Sequence, residues 1–173
     1  MITDVLALIK TWFDIIRLRK GPDAIPRSPV VFAVSIAMWG VADIAIVVVF
    51  EELDAKDLIV GILTSAIGFL CYAAIVNFFG KAARLLQTLT SLIGCGALLT
   101  FAFAAGNFVL APFLGARLTG NLLFLILLWS VPVEGHIISR AIDRRFYLGF
   151  VFALTVLFLQ LYVELLVNPI DTP

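Results

Sequence analysis

Long apolar stretches alternate along this chain with short segments rich in lysine and arginine. Five stretches are each long enough to cross a bilayer, which takes about 20 residues of helix: 29–50, 58–79, 85–109, 121–138 and 146–167. Hydrophobic residues make up 62% of the 173 residues, and a soluble core could not hide so many long apolar segments. The sequence therefore predicts an all-α integral membrane bundle of five transmembrane helices, the domain 29–168.

The basic residues predict how this bundle is oriented. Of the 12 lysines and arginines, all but Lys56 and Arg117 fall in the segments 1–28, 80–84 and 139–145. Short loops rich in Lys and Arg stay in the cytoplasm. We therefore expect a multi-pass protein of the inner (plasma) membrane, with a cytoplasmic N-terminus and a short external tail at 169–173.

Residues 1–28 are expected to form a cytoplasmic amphipathic helix followed by a proline-rich connector. Apolar residues recur there at helical spacing, and Gly21-Pro22 ends the pattern. The helix could lie in the membrane interface with Trp12 at headgroup depth, or dock under the bundle, and the sequence leaves both open. The candidate contacts with lipid or protein partners are Trp12, Arg17, Arg19, Lys20, Arg140, Arg144 and Arg145.

Small residues recur on single faces of the apolar stretches. Such residues let helix backbones approach closely in a membrane, where no hydrophobic force drives helices together. The predicted helix contacts are Ala33, Ala37 and Gly40; Gly61, Ser65 and Gly68, continued by Tyr72; Thr88, Ser91, Cys95, Ala102 and Gly106; and Gly149, Ala153, Gln160 and Glu164.

Four ionisable side chains inside the apolar stretches form a candidate intramembrane polar site, because charge is expensive to bury in hydrocarbon: Asp43, Glu134, His136 and Glu164. Counting from the predicted helix ends puts Asp43 and Glu134 about 10–15 Å apart in depth, so we expect them not to pair directly. Glu134 and His136 point to different sides of their helix, and Ser130 shares the face of Glu134. Three interpretations stay open: hydrogen bonding across the bundle, a polar cavity for a proton, ion or small solute, and catalysis.

Motifs for catalysis or cofactors are absent from the sequence. One histidine, and two cysteines in different stretches, supply neither metal ligands at one depth nor a nucleophile with its base. There is no phosphate-binding loop, dinucleotide fingerprint or haem motif. We therefore expect no enzymatic activity, no cofactor and no metal. Basic residues without interleaved aromatics argue against nucleic acid as a partner.

Two segments resemble a known family. They are Ile-Ile-Arg-Leu-Arg-Lys-Gly-Pro-Asp-Ala-Ile-Pro-Arg-Ser-Pro at 15–29 and the glycine-basic segment Phe-Gly-Lys-Ala-Ala-Arg at 79–84 that leads into the third stretch. With the layout of a head, a Gly-Pro approach and five spans, the chain is similar to the bacterial branch of the Yip family of Rab/Ypt-interacting multispan membrane proteins. Eukaryotic members are implicated in vesicle trafficking and membrane shaping through partner binding.

The resemblance implies a non-enzymatic protein that organises membranes through contacts with lipids, other membrane proteins or itself. The competing hypothesis is a small transporter or channel that uses Asp43, Glu134 and His136. The interior of the bundle discriminates between them. A continuous polar cavity touching Glu134 would favour transport, whereas dry seams of small residues would favour the scaffold.

Overall fold

The computed structural model describes residues 2–50 and 55–167. Its helices are α1 (Ile2–Ile16), α2 (Pro29–Val49), α3 (Ala55–Phe78), α4 (Leu85–Ala141) and α5 (Phe146–Val167), with short 3-10 turns at Pro22–Ala24 and Ala82–Arg84. Five segments of the described chain are long and apolar enough to cross a membrane, so the predicted all-α multi-pass bundle is confirmed. The predicted tail at 169–173 lies outside the described residues.

The long helix α4, together with the 3-10 turn before it, forms two arms that can each span a membrane: a first arm Ala82–Gly115 and a second arm Arg117–Ala141. Gly115 has φ 75° and ψ 160°, a conformation that glycine adopts readily because it has no Cβ. The chain reverses there, since the Leu123 side chain of the second arm meets Gly106 of the first. We expected a loop over 110–120. The structure has a tight break instead, so both arms are longer than predicted.

The hairpin formed by these arms extends past the end of α2. Phe50, just after α2, stacks on Phe103 with ring centroids 5.7 Å apart. The first arm continues from Phe103 to Gly115, a distance of about 18 Å at 1.5 Å per residue. The part of the hairpin beyond Phe103 exposes large apolar side chains, among them Phe108, Phe113 and Leu118.

The basic segments of the sequence meet at one end of the bundle, which we call the basic end. Arg84 donates hydrogen bonds to the backbone carbonyl oxygens of Arg140 (3.3 Å) and Ala141 (3.2 Å). Asp143 accepts from Arg84 at 2.7 Å and from Lys81 at 2.6 Å. These two hydrogen bonds hold the pKa of Asp143 low, at about 2. The two loops predicted to share one side of the membrane therefore lie together.

Helix α1 packs against α4 with one face, while Val5, Leu6 and Phe13 on its other side are exposed. Trp12 is fully buried, and its ring lies against Gly94, where any Cβ would collide with it. The Cys95 thiol donates to the carbonyl oxygen of Trp12 at 3.7 Å, and the Trp129 indole donates to that of Ile16 at 3.1 Å. The expectation that Trp12 contacts lipid headgroups is wrong, because the slot left by Gly94 takes the ring into the protein.

Side chains of the bundle also hold the connector after α1. Gln87 in the first arm donates to the carbonyl oxygen of Ile25 at 2.6 Å and accepts from Arg27 at 2.9 Å. Asp14 and Lys20 form a salt bridge of 2.8 Å, and the hydrogen bond from Lys20 lowers the pKa of Asp14. The head and connector are therefore fixed on the bundle by specific polar contacts.

Glycine allows a backbone contact between α5 and the second arm of α4. A Cβ at Gly149 would collide with the carbonyl oxygen of Gly135 and lie 2.7 Å from the amide nitrogen of Ser139. Ala153, one turn further along α5, is fully buried. The predicted contact on α5 is therefore confirmed at Gly149 and Ala153, whereas Glu164, at the other end of the predicted stripe, is exposed.

The small residues of α2 behave differently. Ala33 and Ala37 are exposed, whereas Ser35 and Ala42 are fully buried. The predicted seam of Ala33, Ala37 and Gly40 is wrong. The face of α2 that packs against neighbouring helices bears Ser35 and Ala42, and it lies to one side of the predicted seam.

Candidate functional site

A partly open cavity of about 430 Å³ lies between the helices, lined by α2, α3 and both arms of α4. Its polar lining includes Asp43, Ser65, Thr100, Ser130 and Glu134, and the remainder is largely hydrocarbon. A smaller lobe of about 160 Å³ shares Asp43, Ser65, Thr100 and Glu134 with it. We call the cavity and its lobe together the chamber.

The chamber brings together two acids that the sequence seemed to separate. Asp43 of α2 and Glu134 of the second arm both line it. The predicted difference of about 10–15 Å in their depths concerns direct pairing, and sharing a cavity requires no direct contact between the two carboxyl groups. The arms of α4 are longer than predicted and do not end level with α2, whose last turn reaches only Phe103. Ser130 lines the chamber beside Glu134, as their shared helix face predicts.

Tyr72 fixes the carboxyl group of Glu134. The phenol of Tyr72, which is almost fully buried, donates a hydrogen bond to Glu134 Oε2. Tyr72 lies one turn beyond Gly68 on the small-residue face of α3. A buried tyrosine hydroxyl needs a hydrogen-bond partner. The position of Tyr72 on a packed helix face was therefore the one sequence signal that could have identified it as a site residue. Tyr72 thus gives Glu134 a defined position at the chamber wall.

Another cavity, of about 310 Å³, adjoins the chamber and shares Asp43, Ile46 and Ser65 with it. We call it the vestibule. Asp57, near the start of α3, and Glu164, near the end of α5, line it on the side away from the basic end. Carboxylates therefore line both spaces, and Asp43 borders both of them.

The chamber is bounded toward the basic end by a hydrophobic core. Trp12 of α1, Leu92 and Cys95 of the first arm, and Val133 and Ile137 of the second belong to that core. The last four of these also line the chamber. Helix α1 therefore packs against the same core as that wall through the ring of Trp12, without lining the chamber itself.

His136 does not reach the chamber. Its ring is buried, with Nε2 3.0 Å from the carbonyl oxygen of Lys20, so it holds the connector. Of the four predicted polar residues, Asp43 and Glu134 line the chamber, and Glu164 lies exposed at the vestibule. Among residues 2–50 and 55–167, no group of three or more His, Cys, Asp or Glu side chains could hold a metal ion.

No protein family, curated protein or solved structure matches this chain. Membership of the Yip family stays a prediction from the two sequence segments and the layout. Function is therefore inferred from the chamber and its acids.

Proposed function

We propose that this multi-pass membrane protein binds a small cationic solute in the chamber and transports it. The observation that carries the proposal is one cavity between the helices that touches both Asp43 and Glu134. Ionisable residues at membrane depth that face a cavity typically mark ion or solute pathways. A scaffold built on dry seams needs no such cavity, so transport is favoured over the membrane-organising role that the Yip resemblance implies.

Each acid has its own part in this proposal. Glu134, positioned by Tyr72, and Asp43 neutralise the solute's charge within the hydrocarbon depth, where an unpaired cation would be costly. Glu164 adds negative charge at the vestibule, and such charge raises the local concentration of cations. The proposed mechanism involves binding and release without bond chemistry, and so no enzymatic step.

The proposal is tested by removing charge while keeping shape. We expect Asp43→Asn and Glu134→Gln each to reduce cation-driven current at least about tenfold, since the amides keep hydrogen bonding but cannot balance a charge. Proteoliposomes on a solid-supported membrane would be challenged with protons, alkali cations and small amines. Glu164→Gln is the matched control and should reduce the current less, because that side chain is exposed and its field is screened by salt. Undiminished current in both chamber variants, with the proteins folded, would refute transport through the chamber.

We also propose that the basic end faces the cytoplasm of a plasma membrane and that the C-terminus is external. The distribution of lysine and arginine supports this orientation. A reporter fused after Pro173 is expected to be active only outside, and a reporter inserted in the 139–145 loop only inside. A cytoplasmic reporter signal after Pro173 would contradict this orientation.

Contact with anionic lipid headgroups is a second proposal, carried by the exposed cations of the basic end. Arg17, Arg19, Lys20, Arg140, Arg144 and Arg145 are all exposed. Such a cluster attracts anionic lipids at about 1 kcal/mol per cation near the surface. This contact would anchor the protein and is compatible with transport.

A further inference from the structure

Aromatic rings accompany the acids of the chamber in its smaller lobe. Trp39, Phe69 and Tyr72 line that lobe together with Asp43 and Glu134. The rings of Trp39 and Phe69 pack edge to face, with centroids 5.9 Å apart and an angle of 82° between their planes. This arrangement is favourable for aromatic pairs, so α2 and α3 hold the two rings in defined orientations.

The lining is poorly suited to a bare metal ion. Calcium takes six to eight oxygen ligands, and magnesium takes about six in near-ideal octahedral geometry. The chamber has two carboxylates, a few hydroxyls and the side-chain amide of Gln160, whose nitrogen donates to the carbonyl oxygen of Thr64. The rest of its wall includes Leu92, Leu99 and Ile126. A metal ion stripped of its water would face hydrocarbon over much of its surface.

The same lining suits an organic cation. Alkyl groups on a nitrogen are satisfied by hydrocarbon walls, and the positive charge is attracted by carboxylates and by the faces of Trp and Tyr. The aromatic rings line the lobe of about 160 Å³. The cavity of about 430 Å³ that shares Asp43 and Glu134 with that lobe falls within the range of pockets for small organic molecules, about 300–1,000 Å³. The volume of that cavity also far exceeds the space that one dehydrated metal ion would fill.

We infer that the chamber binds a small alkylammonium ion, with its nitrogen between the carboxylates of Asp43 and Glu134 and its alkyl groups against Trp39, Phe69 and Tyr72. The inference rests on the proposed function and names its substrate class. The inference gives Trp39 a role in ligand binding, whereas a site that only neutralised the charge of the solute would need no aromatic ring. The aromatic wall selects methylated nitrogen over a hydrated inorganic cation.

The test compares choline with 3,3-dimethylbutan-1-ol, its uncharged carbon analogue of the same shape, on the purified full-length protein in detergent. Binding is followed by calorimetry and by the rise in unfolding temperature that a ligand of the native state produces. We expect choline to bind and the neutral analogue to bind at least about tenfold more weakly, because only choline carries charge for the acids and rings. This comparison uses the unaltered protein and is independent of whether any variant folds.

Variants locate the site. Trp39→Leu should weaken choline binding about tenfold, whereas Trp39→Phe should weaken it less because an aromatic face remains. Asp43→Asn should weaken choline binding as well. Phe108→Leu, at a position that is 74% exposed on the hairpin, is the control and should leave binding unchanged.

The outcomes separate the two proposals. Equal binding of choline and its neutral analogue, or equal affinity in Trp39→Leu and Phe108→Leu, overturns the alkylammonium inference. Potassium or calcium could bind to the wild type but not to Asp43→Asn, while choline binds to neither. That result would overturn the alkylammonium inference and would still support a cation site in the chamber. If no cation tested binds, both proposals fail.

Discussion

Replacing Trp12 by alanine should lower the free energy of unfolding by about 3–5 kcal/mol, the range typical for emptying a buried aromatic site. Trp12 is fully buried against Gly94. Removing the ring would leave a void between α1 and α4 that backbone shifts fill only in part.

Phe13 supplies the matched control for this experiment. It is the next residue of α1 and is 47% exposed, so Phe13→Ala should change stability by no more than about 1 kcal/mol. Denaturant titration in detergent would measure both variants. Equal losses would show that α1 does not dock through Trp12, and the description of the head as part of the bundle would have to be abandoned.

Gly149→Ala is expected to destabilise the protein by about 3 kcal/mol, because a single added methyl group falls on the backbone of the second arm. The collision partners are the carbonyl oxygen of Gly135 and the amide nitrogen of Ser139. Backbone atoms cannot rotate away as a flexible side chain would, so α5 and the second arm must separate. Overpacking of this kind typically costs about 1–3 kcal/mol and at times more, and loss of close approach weakens helix association in a membrane.

The control is the same substitution where space is open. A Cβ at Gly120 would meet nothing within 4 Å, and alanine is the better helix former by about 1 kcal/mol. Gly120→Ala should therefore be neutral or slightly stabilising. Thermal unfolding of both variants in one detergent would check the contrast, and a Gly149→Ala protein as stable as the wild type would rule out the backbone contact.

The membrane class and the grouping of the basic segments could be predicted because they depend on composition along the chain. Apolar length predicts the spans, and the segments around Arg84 and Asp143 are joined by ion pairs of the kind that loops on one side can make. The close contact at Gly149 was also predictable, since a small residue on a helix face in lipid has few other uses.

The position of α1 could not be predicted, because the same apolar face serves equally against lipid and against protein. Only the slot at Gly94, 82 residues after Trp12 in the sequence, decides between the two. A polar cavity was one of the interpretations left open, but the presence of both Asp43 and Glu134 in it could not be predicted, for a related reason. These acids come from α2 and α4, and their relative depth depends on where α4 reverses. A glycine with positive φ at 115 has no distinctive sequence pattern, because this chain has 12 glycines.

The length of the α4 hairpin sets a requirement on the membrane around it. A first arm of 34 residues is about 50 Å long, whereas a typical hydrocarbon core is about 30 Å thick. Part of the surplus lies at the basic end, where Gln87 and Gly94 contact the connector and the head. The remainder requires tilt, local thickening of the bilayer or immersion of the apolar tip among the headgroups. The shorter helix α2, with 21 residues, makes no such demand, so one protein presents two hydrophobic lengths to its lipids.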